Sequence, residues 1–190
     1  MPQVLKEEVR ESLVAAASQI FMERGFSGAR LTDIADTAGV STGLVYSYFK
    51  NKEELFQAVI APLPPDFEAV AQAEEALETG SPLEKYQTAA AEYIENILKY
   101  HREFVILMDK SHGTPYADTK SRMVQSVQAH IERELTRNKK KSYPKVLPHI
   151  LASNFVSGLL EVARHYENVT QAQELLSLII SCYYEGVNSL

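Results

Sequence analysis

A single cysteine, Cys182, and no tryptophan occur in 190 residues. One thiol cannot close an intramolecular disulfide, so a disulfide-stapled scaffold is excluded and a reducing, cytoplasmic compartment is expected. No apolar run is long enough to span a membrane, and acidic residues precede the first long apolar stretch, so neither signal peptide nor anchor is expected. A basic surplus is also lacking. The net charge of −6 argues against a non-specific nucleic-acid coat. No strand-like alternation, internal repeat, glycine-rich phosphate loop or nucleophile–base–orienter set is visible, so nothing points to an enzyme. The five histidines (His101, His112, His130, His149, His165) show no ligand spacing with Cys182 or paired carboxylates. Neither metal nor cofactor is expected.

What is present is helical periodicity over a hydrophobic content of 45%, enough for a substantial core. Val9, Leu13, Ala16, Ala17, Ile20 and Phe21 recur at helical spacing, predicting an amphipathic helix over 4–24. Gly25 ends it, and Phe26 folds back onto its apolar stripe. Residues 31–52, LTDIADTAGVSTGLVYSYFKNK, then read as a helix-turn-helix. Ala35 gives the small side chain a close helix crossing needs. Gly39 reaches positive φ in the turn without Cβ strain. Val45, with Leu44, anchors the second helix to the first. Thr32 or Arg30-Leu31 opens the first short helix, with Thr32 the expected N-cap, and Ser41 caps the second. Asn51 caps a third, with Glu54 completing a capping box.

These residues resemble the DNA-binding domain of TetR-type transcriptional regulators. The match lies in Ala17, Phe21, Gly25 and Phe26, in L-T-x-I-A, in A-G-V-S, and in Y-x-Y-F-K-N-K-E-E-L. It covers the N-terminal segment, residues 1–60. The resemblance implies an all-α homodimer that binds a palindromic DNA operator and is released by a small-molecule effector. It also implies that Tyr46 and Tyr48 reach backbone phosphates; packing with a solvated hydroxyl is the other reading of each. The predicted architecture is an N-terminal three-helix helix-turn-helix domain over 1–60 and a larger helical effector-binding and dimerisation domain over 61–190.

The candidate DNA contacts are Thr32, Ser41, Thr42, Gly43, Tyr46, Ser47, Tyr48 and Lys52. Thr42 and Ser41 carry hydroxyls suited to base edges or phosphate. Gly43 would permit close backbone approach. Lys52 and Thr32 begin helices, where partial positive charge favours phosphate. Arg30 can reach minor groove or phosphate, or stay a solvated surface arginine. Charge resists this reading: six Lys/Arg face eight acids over residues 1–60, a net of −2. A sequence-specific dimer with few, well-placed phosphate contacts tolerates that deficit better than a general coat does.

Beyond residue 60, Pro62, Pro64 and Pro65 interrupt the third helix. TetR-type proteins usually continue the equivalent helix into the second domain as a relay. Further helices are predicted over 66–78, 81–100, 102–111, 116–139, 145–166 and 171–188. Ser81 and Thr170 each open a capping box, and Lys139–Lys141 reads as a solvated loop. The last two helices are apolar on more than one face, which suits a two-fold four-helix bundle through Phe155, Leu159, Leu176, Ile180 and Tyr183. Ser157 and Gly158 would allow close helix approach. Tyr93, Tyr100, Phe104, Met108, Met123 and Phe155 are candidates for an adaptable pocket taking a moderately apolar effector. The alternative function is a dimeric interaction module with a weak or vestigial helix-turn-helix.

Overall fold

In the computed structural model the described residues are 6–63, 76–80, 82–137 and 142–189. They are all-α, with no strand among them: α1 (Glu7–Gly28), α2 (Leu31–Thr37), α3 (Thr42–Tyr48), α4 (Lys52–Ile60), α5 (Pro82–Lys99), α6 (His101–Asp109), α7 (Thr119–Arg137), α8 (Leu147–Arg164) and α9 (Val169–Ser189). Most of the helix expected over 66–78, Pro64, Pro65, Ser81 and the Lys139–Lys141 run lie outside the described residues. Two compact units result. The first comprises Met1–Leu63 with Arg102–Ala117, and the second Pro64–His101 with Asp118–Leu190. The expected boundary at 60/61 follows chain order, whereas residues 102–117 pack in the first unit.

The first unit is organised around the end of α1. Gly25 takes φ 68° inside the helix span, and one further turn follows before Ala29. That reversal brings Phe26 back as predicted. Its ring lies 5.9 Å from Phe21 and 5.4 Å from Phe56, and Phe21 and Phe56 meet edge-on at 5.2 Å. Each such pair contributes about 0.5–1.5 kcal/mol beyond the apolar area it buries. Tyr116 adds a fourth ring, 6.2 Å from Phe56. The Phe26 N–H donates to the Lys110 carbonyl at 2.8 Å, and Ser27 Oγ donates to the His112 carbonyl at 2.6 Å. Ser18 Oγ donates to the Glu103 carboxylate at 2.9 Å. Phe104, Val105, Ile106 and Met108 of α6 are buried.

Around the helix-turn-helix, local chemistry follows the sequence closely. Ala35 and Val45 are fully buried, and Gly39 turns at φ 69°. Ser41 Oγ accepts from the Leu44 N–H at 3.3 Å, and Asn51 Oδ1 from the Glu54 N–H at 2.8 Å. The Glu54 carboxylate reaches one residue further back than expected, accepting from the Lys50 N–H at 2.7 Å. At α2 the expectation fails. Arg30 occupies the N-cap position without a side-chain bond, and Thr32 is the second residue of the helix.

Lys52 joins α4 to the end of α1. Its ammonium donates to the carbonyls of Phe26 at 2.6 Å and Ala29 at 2.9 Å, and lies 4.3 Å from the Phe26 ring centroid. Desolvation by burial lowers its pKa, opposing the two charge-assisted bonds, which favour the ammonium.

In the second unit, α7 packs on α8, α8 on α9, and α5 on α9. Gly158 sets the α8–α9 approach, since a Cβ there would stand 3.1 Å from Ile179 Cγ2. The α9 cap lies earlier than predicted. Asn168 Oδ1 accepts from the Gln171 N–H at 3.0 Å, and Gln171 Oε1 accepts from the Glu167 N–H at 3.4 Å. Asn168, two residues before Thr170, fills the capping role.

Replacing Lys52 by Ala deprives two carbonyls of a charged donor and removes the contact with Phe26. Such bonds contribute about 1.5–3 kcal/mol each, less where water can replace them. Urea denaturation should show Lys52→Ala destabilised by about 1–3 kcal/mol; an unchanged midpoint would rule out the link as a structural element.

Candidate nucleic-acid interface

Burial divides α3 into two sides. Val45 is fully enclosed against α2, while Leu44 and Tyr48 are half-buried. Gly43, Tyr46 and Ser47 are exposed, with Thr42 half-exposed beside them and exposed Ser41 at the cap. Tyr46 keeps 57% of its surface open, an unusual exposure for so large a side chain. A Cβ built on Gly43 meets nothing within 4 Å, so the fold does not need glycine there for space. Ser47 Oγ donates back to the Gly43 carbonyl at 3.5 Å. Thr42, Gly43, Tyr46 and Ser47 therefore share one outward side, offering two hydroxyls, a phenol and bare backbone. Thr32 is exposed in the first turn of α2.

The two tyrosines differ. Tyr48 accepts a hydrogen bond on its hydroxyl from the Lys6 backbone N–H at 2.9 Å, linking the start of α1 to the end of α3. Sequence patterning could not reveal this contact, which spans 42 positions. Tyr46 makes no such bond with any described residue.

The cations also differ in availability. Arg24 pairs with Asp33, and Arg10 lies 3.6 Å from Glu7 and 5.6 Å from the Phe49 ring centroid. Lys52 is engaged by carbonyls, so it does not present the unencumbered helix-start ammonium expected from sequence. Lys6, Arg30 and Lys50 make no side-chain ion pair among the described residues.

The expected effector residues fall in different units. Phe104 and Met108 are buried in the first. Met123 and Phe155 are buried in the second, where Tyr93 and Tyr100 are half-exposed. The expected dimer residues are displaced inward. Phe155, Leu159, Leu176 and Ile180 are buried within the chain itself, because the facing sides of α8 and α9 pack on each other and on their neighbours. Tyr183 is half-exposed, its ring 4.3 Å from Phe155 and 5.0 Å from Tyr184. Outward apolar positions within the two helices include Ile150, 46% exposed, and Leu178, 58% exposed, with Val146 and Val169 exposed at their N-terminal ends. Ser157 and Cys182 are exposed on the same two helices. Among the described residues no cluster of three or more His, Cys, Asp or Glu could hold a metal ion. No described helix is long and apolar enough to cross a membrane.

Residues 13–59 match the family model described as bacterial regulatory proteins, tetR family. Over 53 residues the chain is 45% identical to the HTH-type transcriptional repressor BepR of Brucella suis, covering 28% of this chain and 25% of that protein. Over 77 residues it is 38% identical to the HTH-type transcriptional regulator TtgR of Pseudomonas putida, covering 40% and 37%. The chain thus spans well under half the length of these curated relatives. Among solved structures it resembles NalD, the secondary repressor of the MexAB-OprM multidrug efflux pump in Pseudomonas aeruginosa, with TM-score 0.55 and 25% identity over 92% of this chain and 96% of that one. A TetR-like regulator from Rhodococcus sp. RHA1 shares the fold at TM-score 0.63 and 20% identity, over 99% and 100% of the two chains. Helix-turn-helix geometry and family match agree on the same segment: residues 13–59 resemble the tetR family of bacterial regulatory proteins, and the fold of the chain resembles that of solved tetR-like regulators.

Proposed function

We propose that this protein is a sequence-specific DNA-binding transcriptional regulator, a repressor released from a palindromic operator by a small, moderately apolar effector. The observation that carries the reading is the outward side of α3, where Thr42, Gly43, Tyr46 and Ser47 stand opposite the buried anchor Val45. A helix seated in the major groove reads base edges with residues near its N-terminus, where Thr42 and Gly43 lie. Tyr46 and Tyr48 contact flanking phosphates, with Thr32 and Ser41 at the helix starts. Repressor function draws support from BepR and NalD, both named as repressors. Residues 1–60 form the DNA-binding domain, and 61–190, apart from the residues 102–117 that pack in the first unit, supply effector binding and dimerisation in the cytoplasm. Tyr93, Tyr100, Met123 and Phe155 are the effector candidates within the second unit.

A homodimer joins α8 and α9 of two copies through Ile150, Leu178 and Tyr183, presenting two α3 helices about 34–36 Å apart, one turn of DNA. The interaction-module reading retains one specific support: half of the six cations between Met1 and Ile60 are already engaged internally. Catalysis has no part in either reading.

Selection from a random duplex library is the direct test. The wild-type chain should enrich an inverted repeat, Gly43→Glu should enrich nothing, and Thr42→Ala should shift the preferred bases. No enrichment by the wild type at low salt would favour the interaction module. Gly43→Ala separates folding from binding. Alanine is favoured over glycine in a helix by about 1 kcal/mol, so the melting temperature should rise while operator affinity falls at least tenfold. Unchanged affinity would remove Gly43 from the interface. For the dimer, Leu178→Asp should give a folded monomer by sedimentation, whereas Leu176→Asp, placing a carboxylate in the core, should unfold the chain. A Leu178→Asp dimer would move the interface elsewhere.

A further inference from the structure

We infer that Lys6 is a phosphate-binding residue of the DNA face, held for that task by Tyr48. The inference rests on the DNA-binding reading above and adds a contact from outside residues 13–59. It follows from an accounting of the Tyr48 hydroxyl, which has one proton to donate and lone pairs to accept with. One lone pair takes the Lys6 backbone N–H at 2.9 Å. No described residue accepts the proton. The hydroxyl is therefore oriented by the protein on its accepting side and open on its donating side, at the end of α3.

The same bond fixes where the Lys6 side chain begins. Its stem starts at a backbone unit tied to the Tyr48 hydroxyl, so a flexible ammonium and an oriented phenol O–H project from one point. Lys6 is exposed and makes no ion pair with any described residue. The adjoining acid does not cancel it, because the Glu7 carboxylate lies 3.6 Å from Arg10, whose guanidinium is in turn held over Phe49. Exposed Lys50 stands on the other side of Tyr48 in sequence. With base-reading residues toward the N-terminus of α3, its opposite end lies nearer the rim of the groove, where the sugar–phosphate backbone runs. An ammonium and a neutral O–H converging there suit a phosphate diester oxygen pair, positioning the protein without reading sequence.

Fluorescence anisotropy with the full-length chain on the selected operator and on a scrambled duplex, across about 50 to 200 mM salt, tests this. Lys6→Ala should weaken both duplexes by a similar factor, about 3–10-fold at low salt. It should also reduce the slope of log affinity against log salt by about one for each Lys6 engaged. Its melting temperature should match the wild type, since the side chain has no ion-pair partner among the described residues. In a Tyr48→Phe background the same substitution should cost less, because the anchor that positions Lys6 is gone. Wild-type binding that Lys6→Ala leaves unchanged in affinity and slope would overturn this inference alone. Failure of the wild type to bind any duplex would overturn the DNA reading and this inference with it.

Discussion

The reversal of the chain at Gly25 is the constraint on which the first unit depends. At φ 68° a side chain with a Cβ is strained, so glycine is required by backbone conformation; the nearest atom to a built Cβ is the Lys110 carbonyl oxygen at an unremarkable 3.6 Å. Once the turn is made, Phe26 has all of its groups occupied. The ring completes a three-phenylalanine cluster, the N–H meets Lys110, and the carbonyl receives Lys52. Three elements far apart in sequence thereby meet at one residue. Positioning of α3 follows, because α4 begins at Lys52, four residues after α3 ends at Tyr48.

Much of this was legible in the sequence, and the parts that were share a property: they are local. Gly39, the Ser41 cap, the Asn51 cap and the burial of Ala35 and Val45 are decided within a few residues of backbone, where side-chain chemistry has little choice. Thr32 and Thr170 do not cap their helices: α2 starts one residue before Thr32 with no side-chain cap at Arg30, and at α9 the Asn168 amide takes the capping role. Longer-range facts left no such mark. An apolar stretch such as REFVILM must be buried, but periodicity does not say against what, so residues 102–117 could not be assigned to the first unit. Lysine patterns suggest solvent exposure, which hides the engagement of Lys52 by two carbonyls. Helices apolar on two sides likewise do not declare which side faces inward; Phe155 and Leu176 turned out to be interior, with Leu178 outward.

Charge shapes the kind of DNA binding this chain can support. A net negative protein gains little long-range attraction toward a polyanion, so non-specific association and steering are weak. Internal engagement of Arg10, Arg24 and Lys52 deepens the deficit. On the proposed DNA-binding reading, Lys6, Arg30 and Lys50 would carry the electrostatic term of the helix-turn-helix segment, and discrimination would fall to Thr42, Gly43 and the tyrosines. In a regulator so built, fewer released counterions would mean weaker binding everywhere, while base-edge contacts would still distinguish one site from another.

The prolines after α4 bear on how the first unit can be driven. Leu63 is still buried, but Pro62 interrupts regular helix, so α4 stops at Ile60. Among the described residues, regular helix does not continue past that point. Residues 110–113 are bound directly to the end of α1 inside the same unit. Their carbonyls accept from the Phe26 N–H and the Ser27 hydroxyl, and Gly113 lies so close that a Cβ there would stand 2.9 Å from Ser27 Oγ. Packing this tight does not absorb displacement gradually. A shift of residues 110–113 must either break those bonds or move Phe26 and Ser27 with them. Because the Phe26 carbonyl holds Lys52, motion on that path arrives at the first residue of α4, immediately after the turn that ends α3.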